Sequence, residues 1–307
     1  MRRYRRVLIP IVAAVALLAA ACGSGDAGSD DNEIGGSEFD GTLVIGAIPD
    51  QDPEVLARNY ELLAGFLAEE LGVEVSYEPV TEYDAAVTAF RVGDLDLVWF
   101  GGLTGVQARL QVDGAEAVAQ RDIDEQFTSV FIAGVDTGID PIDSVEDLAV
   151  VAGHTLTFGS DTSTSGRLMP QSFLKQAGVL LDDLQGEPGF SGSHDATIEL
   201  VESGTFDVGA LNSQVWESRV EAGDVDLDRV QLIFETPVYY DYHWVARPEL
   251  SDELKADILA ALQKLDPADP DQAVILEFFG AASFIDTDNG NYASIEEIGR
   301  ESGLIDG

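Results

Sequence analysis

The 307-residue chain has few cationic side chains and a single cysteine. Lysine and arginine together number 16, against 57 aspartates and glutamates, which gives a formal net charge of −41. A protein that binds DNA or RNA needs a basic face to displace counterions, so this composition argues against a nucleic-acid partner. The single cysteine, Cys22, excludes an intrachain disulfide framework and a metal site built from several cysteines.

Signals of catalysis and metal binding are also scarce. The three histidines, His154, His194 and His243, include no pair at the spacing typical of a metal site on a helix. The sequence contains no Gly-x-Ser-x-Gly elbow and no nucleotide-binding loop. We therefore expect a protein that is not an enzyme and has no cofactor and no bound metal. A metal-binding lipoprotein and a secreted hydrolase, with Ser165 and His194 imitating part of a triad, stay as distant alternatives.

The N-terminus is basic and then apolar. Four arginines lie within the first six residues, and the apolar run over residues 7–21 is shorter than a membrane-spanning helix needs. This run ends in alanines before Cys22, a pattern that resembles a bacterial lipoprotein signal. We predict a signal over 1–21, a flexible tether over 22–40, and an extracytoplasmic protein anchored to the cell membrane by lipidated Cys22. The alternative is an ordinary secretory signal with an incidental cysteine.

The rest of the chain alternates between short apolar runs and stretches with apolar residues at helical spacing. Apolar residues make up 45% of the chain, enough to bury a sizeable core. Residues 42–111 follow the order strand, helix, strand, helix, strand, helix, which predicts a parallel sheet covered by helices. A second α/β series follows over 127–246. Two such units indicate two lobes with a cleft between them.

A run of hydroxyl side chains lies between a predicted strand and a predicted helix. The strand covers 155–158, the helix covers 165–177, and Ser163, Thr164 and Ser165 stand at the junction. The first N–H groups of a helix lack internal partners, and hydroxyls add further donors, so an oxyanion can bind here without lysine. The alternative is that these residues only cap the helix.

The order of several motifs resembles the periplasmic phosphonate-binding family of ABC importers. The similarity extends from about residue 42 to 305. It rests on segments 82–84 and 90–101 (EYD and FRVGDLDLVWFG), 163–166 (STSG), 192–195 and 204–209 (GSHD and GTFDVG), and 281–284 (AASF).

This resemblance implies an α/β, two-lobed periplasmic-binding-protein fold of type II with two hinge crossover strands. One lobe comprises about 40–126 plus 240–307, and the other comprises 127–239. The partners implied are a small tetrahedral oxyanion, an ABC permease and its ATPase, and we expect a monomer. Closure of the hinge around the anion is the implied mechanism.

The resemblance also implies the residues of the site. Ser163, Thr164 and Ser165 match the hydroxyls that hold the anion, Tyr83 matches a tyrosine on the facing lobe, and His194 matches a histidine that reaches the anion. Gln214 and the neighbourhood of Tyr242 align with carboxylates that hold the amine in aminoethylphosphonate binders. A buried ammonium without a carboxylate is costly, so we expect a ligand without a free amine.

A narrower similarity involves a subgroup that is thought to bind selenate. It rests on residues 47–53, 99–109 and 120–124 (AIPDQDP, WFGGLTGVQAR and QRDID) and makes selenate the leading alternative ligand. Phosphite-type anions carry a proton near neutral pH and can donate it to a carboxylate, whereas a carboxylate would only repel selenate. The sequence leaves open which acids point inward, the candidates being Asp84, Asp161, Asp195 and Asp241.

Overall fold

The computed structural model describes residues 41–305. The predicted signal over 1–21, the tether over 22–40 and the lipidation site Cys22 therefore lie outside the described residues. Within this range the strands are, in chain order, β1 (Thr42–Ala47), β2 (Glu74–Tyr77), β3 (Leu97–Phe100), β4 (Glu116–Arg121), β5 (Ser129–Gly134), β6 (Leu156–Phe158), β7 (Gly189–Phe190), β8 (Val208–Asn212), β9 (Val230–Glu235), β10 (His243–Ala246) and β11 (Phe284–Ile285).

These strands form two sheets. The first has the order β11-β4-β10-β3-β1-β2, and the second has the order β7-β6-β8-β5-β9. The central strands are apolar along their length, and every residue of β3 and β8 is buried. Helices cover these strands, which is why the sequence shows continuous apolar runs rather than alternation.

The parallel pairing predicted for the strands of residues 42–111 is confirmed, and β6 also pairs parallel with β7 and β8, but both sheets contain antiparallel pairs as well. β1 pairs parallel with both β2 and β3, whereas β10 pairs antiparallel with β3 and β4. In the second sheet, β5 pairs antiparallel with β8 and β9. The reversed strands β5 and β10 are those that the chain enters after it passes from one sheet to the other.

The helices within the described range were predicted more closely than the strands. They are α1 (Pro53–Leu71), α2 (Tyr83–Val92), α3 (Gly102–Gln111), α4 (Met169–Gln176), α5 (His194–Glu202), α6 (Ser213–Ala222), α7 (Asp252–Gln263), α8 (Pro270–Phe279) and α9 (Ala293–Glu301). Helix α1 begins where the Asp52 carboxylate accepts the N–H groups of Glu54 and Val55, and it ends at Gly72, whose φ is 67°. The N-cap and the left-handed glycine define the ends that the sequence predicts.

The chain passes between the sheets twice, once between β4 and β5 and once between β9 and β10. The two passages pair through Phe127 and Tyr239, whose N–H···O distances are 3.0 and 2.9 Å. Two adjacent crossing segments agree with the predicted hinge strands. Along residues 41–305, we find no helix with the length and apolar character needed to cross a bilayer.

Candidate functional site

The hydroxyl turn joins β6 to a helix that starts in an unusual way. Residues Thr164–Leu168 form one π-helical turn that continues into α4, where the sequence predicted a regular helix. Ser163 caps this turn, because its Oγ accepts the N–H of Gly166 at 2.9 Å. Glycine at 166 eases the packing of this turn, since a Cβ there would lie 3.1 Å from the Gly159 Cα. π turns occur often at functional sites, so this distortion marks the turn as a candidate anion site.

The three hydroxyls of the turn are buried, and their bonding differs. Thr164 Oγ1 accepts the N–H of Leu103 at 2.9 Å, which links the turn to the first sheet. Ser165 Oγ has no hydrogen-bond partner among the described residues. Ser163 and Thr164 accept hydrogen bonds but keep their own O–H protons for donation. All three residues can therefore donate to an oxyanion.

The N-terminus of α3 lies against the turn from the other side. The N–H of Gly102 donates to Asp241 Oδ1 at 2.9 Å. A Cβ at Gly101 would lie 3.1 Å from Thr164 Oγ1 and 3.3 Å from Asp241 Oδ1, so these two oxygens lie close together above that glycine. A larger residue at 101 would therefore have to displace one of these oxygens slightly, which favours glycine there.

Two carboxyl groups and the predicted tyrosine are buried beside the turn. Burial raises the pKa of Asp241 to about 7 and that of Asp50 to about 6. The Oδ2 atom of Asp241 and the hydroxyl of Tyr83 have no partner within residues 41–305. Burial raises the pKa of Tyr83 well above its usual value, and Asp50 and Asp241 raise it further. Tyr83 therefore lies near both carboxyls, as the first residue of α2.

His194 is fully buried and holds Tyr242. Its Nδ1 accepts the N–H of Asn212 at 3.4 Å, so Nε2 carries the proton and donates to the Tyr242 hydroxyl at 3.3 Å. Burial lowers the pKa of His194 to about 4, which keeps the ring neutral. Both ring nitrogens of His194 are therefore engaged, and Ser165 Oγ forms no hydrogen bond with it among the described residues.

Tyr242 links this network to the space in front of the turn. Its hydroxyl oxygen also accepts the side-chain amide of Asn212 at 3.1 Å, and its ring stacks on Trp99 at 5.7 Å. With two donors already pointing at the oxygen, the O–H proton of Tyr242 goes to a third group, and the buried carboxyl of Asp50 is hydrogen-bonded to this hydroxyl.

Gln214 lies farther from the turn, beside a buried arginine. The guanidinium of Arg121 donates to Asp124 at 2.6 and 2.8 Å, to the Phe279 carbonyl at 2.7 Å, and to the side-chain carbonyl of Gln214. It also lies 4.8 Å from the ring centre of Tyr242. Sequence reasoning included residues 120–124 in a family pattern but assigned Arg121 no role, and it missed Asp50.

Of the four acids that could point inward, Asp241 does so. Asp84 and Asp161 are exposed, and Asp84 accepts the hydroxyl of Thr162 at 3.1 Å. Asp195 pairs with Arg219 at 2.6 Å. A search of residues 41–305 finds no group of three or more His, Cys, Asp or Glu side chains that could hold a metal ion.

These atoms converge on a small, buried and protonatable site. It combines hydroxyl donors at a helix start, two carboxyls whose pKa values lie near neutrality, and three polar atoms without partners. Buried polar atoms are nearly always hydrogen-bonded, so unpaired ones in one place indicate that something polar binds there. A tetrahedral oxyanion that carries a proton satisfies both the donors and a carboxyl acceptor.

Comparison with known proteins is consistent with a site for a tetrahedral oxyanion. Residues 45–292 match the family model described as "ABC transporter, phosphonate, periplasmic substrate-binding protein". The chain is 48% identical over 272 residues to a probable ABC transporter phosphite binding protein of Prochlorococcus marinus, covering 86% of this chain and 90% of that protein. It is 27% identical over 270 residues to a phosphate-import protein of Mycolicibacterium smegmatis, covering 82% and 81%.

A solved structure is similar over the same region. It is a Prochlorococcus marinus protein in complex with methylphosphonate, with a TM-score of 0.83 and 46% sequence identity. The match covers 86% of this chain and 99% of that one.

Proposed function

Since the chain belongs to the family of periplasmic substrate-binding proteins of phosphonate ABC transporters, we propose that it binds phosphite or a small phosphonate such as methylphosphonate. The protein delivers this anion to an ABC permease and its ATPase. Its fold is the two-lobed α/β type II fold of periplasmic binding proteins, with one sheet in each lobe. Phosphate, a member of the same ligand class, is the next candidate.

The inward carboxyl of Asp241 carries this proposal. Its Oδ1 is used by Gly102, its Oδ2 is free, and burial raises its pKa to about 7. A phosphorus oxyanion with one acidic proton near neutral pH can share that proton with Oδ2 while its other oxygens accept from Ser163, Thr164 and Ser165. Selenate has no proton to share, so the same carboxyl disfavours it when ionised, at a pH above about 7.

The surroundings of Gln214 support a ligand without an amine. Its side-chain carbonyl is occupied by Arg121, whose positive charge would repel an ammonium group nearby. Position 214 is a neutral glutamine where aminoethylphosphonate binders carry an acid, and the carboxyl that lines the same hollow as Gln214 is Asp50, whose pKa burial raises to about 6. The small ligands phosphite and methylphosphonate need no partner there.

We assign the site residues as follows. Ser163, Thr164 and Ser165 hold the anion from the lobe of about 127–239, and Tyr83 reaches it from the lobe of about 40–126 plus 240–307. His194 orients Tyr242, which donates its own O–H, and Gln214 bounds the site at the far side. Closure around the anion completes these contacts, so ligand shifts the protein to the closed form that the permease recognises.

We also propose that the protein is anchored outside the cytoplasmic membrane through lipidated Cys22. The support is the sequence pattern before that cysteine, together with a family that acts outside the cytoplasm. Mass spectrometry of the membrane fraction should find diacylglycerol on a chain that begins at Cys22, and a Cys22→Ala variant should appear in the soluble fraction.

The ligand assignment is tested by calorimetry on the wild type and Asp241→Asn. Asparagine can still accept the N–H of Gly102, but its amide cannot take a proton from the ligand. We expect the variant to lose phosphite affinity by about tenfold or more, which corresponds to one charge-assisted hydrogen bond, while selenate and sulfate binding is kept or improved.

The exposed Asp94, which follows helix α2, provides the matched control. Asp94→Asn makes the same chemical change at a carboxylate that has no hydrogen bond or ion pair among the described residues. It should leave phosphite affinity within a factor of about two, as is typical of surface changes. Selenate binding by the wild type that is tighter than phosphite binding contradicts the proposal, and tight aminoethylphosphonate binding contradicts the amine argument.

A further inference from the structure

Two hollows of very different size lie on either side of Gln214. The inner one has a volume of about 10 Å³ and is lined by Asp50, Asn212 and Tyr242, so it adjoins the proposed anion site through Tyr242 but is not lined by the hydroxyl turn. The outer one is a groove of about 560 Å³ that opens to solvent between α1, α6 and α8. Gln51, Gln214 and Phe278 line both hollows. The wall between the ligand site and the groove is therefore only one layer of side chains thick.

The Gln214 side chain is held in this wall from two sides. Its carbonyl accepts from Arg121, which is itself fixed by Asp124 and by the Phe279 carbonyl. Its amide lies over Gly280, and a Cβ at that position would overlap the Gln214 amide. Glycine at 280 thus leaves the space that the Gln214 side chain fills. We infer that contacts on both sides hold this side chain in one conformation in the wall.

The inner hollow limits what can be attached to the phosphorus atom. About 10 Å³ is close to the space needed for one water molecule. A hydrogen or a methyl substituent fits on the side of Asp50 and Tyr242, whereas a longer chain would collide with Gln214. Arg121 keeps its bonds to Asp124 and Phe279 when Gln214 is shortened, so opening the wall leaves no buried charge unpaired.

We propose that Gln214 sets the size limit for the ligand, and that removing its side chain joins the inner hollow to the groove and admits longer neutral alkylphosphonates. This inference rests on the proposed function. Specificity here is steric exclusion of the larger substituent, because the oxyanion contacts are the same for every ligand in the series.

The experiment compares phosphite, methylphosphonate and n-propylphosphonate by calorimetry on the wild type, Gln214→Ala and Gln214→Asn. We expect the wild type to bind propylphosphonate at least about a hundredfold more weakly than methylphosphonate. Gln214→Ala should improve propylphosphonate binding about tenfold or more, the range for a few methylene groups in a pocket, and Gln214→Asn should give a smaller gain. Phosphite affinity should change less than the propylphosphonate affinity in both variants.

Gln107→Ala is the control, because Gln107 is a half-buried glutamine that bonds the Leu304 carbonyl at 2.9 Å and does not line either hollow. It should leave the ligand order unchanged. If neither Gln214 variant gains propylphosphonate affinity, or if the wild type already binds it as tightly as methylphosphonate, the size-limit inference is wrong. Failure of the wild type to bind phosphite and methylphosphonate at all would instead overturn the proposed function.

If Gln214→Ala does not fold, as judged by circular dichroism, the Gln214→Asn result decides, since that variant keeps an amide in the wall.

Discussion

Three buried polar atoms without hydrogen-bond partners are the strongest indication that this site binds a ligand. The hydroxyls of Tyr83 and Ser165 and the Oδ2 of Asp241 are buried and unpaired within the described chain. A buried group left in this state costs about 1–3 kcal/mol. A ligand that bonds these atoms therefore gains free energy from satisfying them.

Ser165 and Ser129 allow this to be tested, because both are buried serines in the same region. Ser129 Oγ donates to the Ser165 carbonyl at 2.7 Å and lies 2.6 Å from the Tyr239 hydroxyl, so it is fully bonded in the free protein. Ser165→Ala should leave the melting temperature of the free protein unchanged or raised, and should weaken phosphite binding by about tenfold. Ser129→Ala should lower the melting temperature. The reverse pattern would mean that Ser165 is structural.

Asp241 should also give the free protein a characteristic pH dependence. Burial raises its folded-state pKa to about 7 from the ordinary value of 3.8, so between these two pH values the folded protein binds more protons than the unfolded chain. Stability from this residue is therefore present at low pH and lost as the pH rises through that window. The free energy of unfolding of the wild type minus that of Asp241→Asn should fall between pH 4 and 7. A flat difference would mean that the carboxyl is not buried in solution.

At the scale of elements, helices were easier to predict than strands. α1 was predicted from apolar spacing and found over the same residues, because its caps and its buried face lie within its own sequence. β4 was missed, since Glu116–Arg121 contains small alanines between polar residues and is recognised only through its pairing with β10. The antiparallel direction of β10 depends on the crossing of the chain between the sheets, which local sequence does not encode.

The same distinction holds for the candidate site. The hydroxyl turn was predicted because its residues are consecutive and sit at a helix start. Asp50, Arg121 and the inward direction of Asp241 were not, because these groups meet only after distant segments fold together. Two of the predicted site residues are hydrogen-bonded to other side chains around the proposed anion site: His194 bonds to Tyr242, and Gln214 bonds to Arg121.

Helices α1 and α5 meet end to end across the two lobes. The Asp195 carboxylate accepts the N–H of Asp52 at 3.0 Å and two bonds from Arg219 at 2.6 and 3.1 Å. This contact exists only when the lobes are close, so we expect it to favour the closed form.

Asp195→Ala should therefore raise the ligand dissociation rate by about threefold to tenfold, as for loss of a partly exposed hydrogen bond, with little change in the association rate. Stopped-flow fluorescence of Trp99, which stacks on Tyr242, would measure both rates. Asp224→Ala is the control, because Asp224 reaches Arg219 only at 4.0 Å and is exposed. Equal effects of the two variants would count against a role for Asp195 in closure.

At the scale of the whole molecule, charge opposes the proposed ligand. The formal net charge of −41 repels an approaching anion, although the hydroxyl turn of the site supplies hydrogen-bond donors. Added salt screens this repulsion, with a Debye length of about 10 Å at 0.1 M. The association rate of phosphite should therefore rise as salt increases, the opposite of electrostatic steering. Stopped-flow measurements between low and high potassium chloride test this, and a falling rate would point to a local positive field at the entrance.

The pairing of Phe127 with Tyr239 has a consequence for engineering. Ser129, which holds the carbonyl of Ser165, lies two residues from Phe127, and Asp241 lies two residues from Tyr239. The backbone expected to bend on closure therefore belongs to the same two short segments as Ser129, which supports the hydroxyl turn, and Asp241, the proposed acceptor of the ligand proton. Transplanting the 163–166 loop into a relative would move the hydroxyls without their acceptor carboxyl or their support. A graft intended to convert one oxyanion receptor into another must carry three pieces of chain together: 127–129, 163–166 and 239–242.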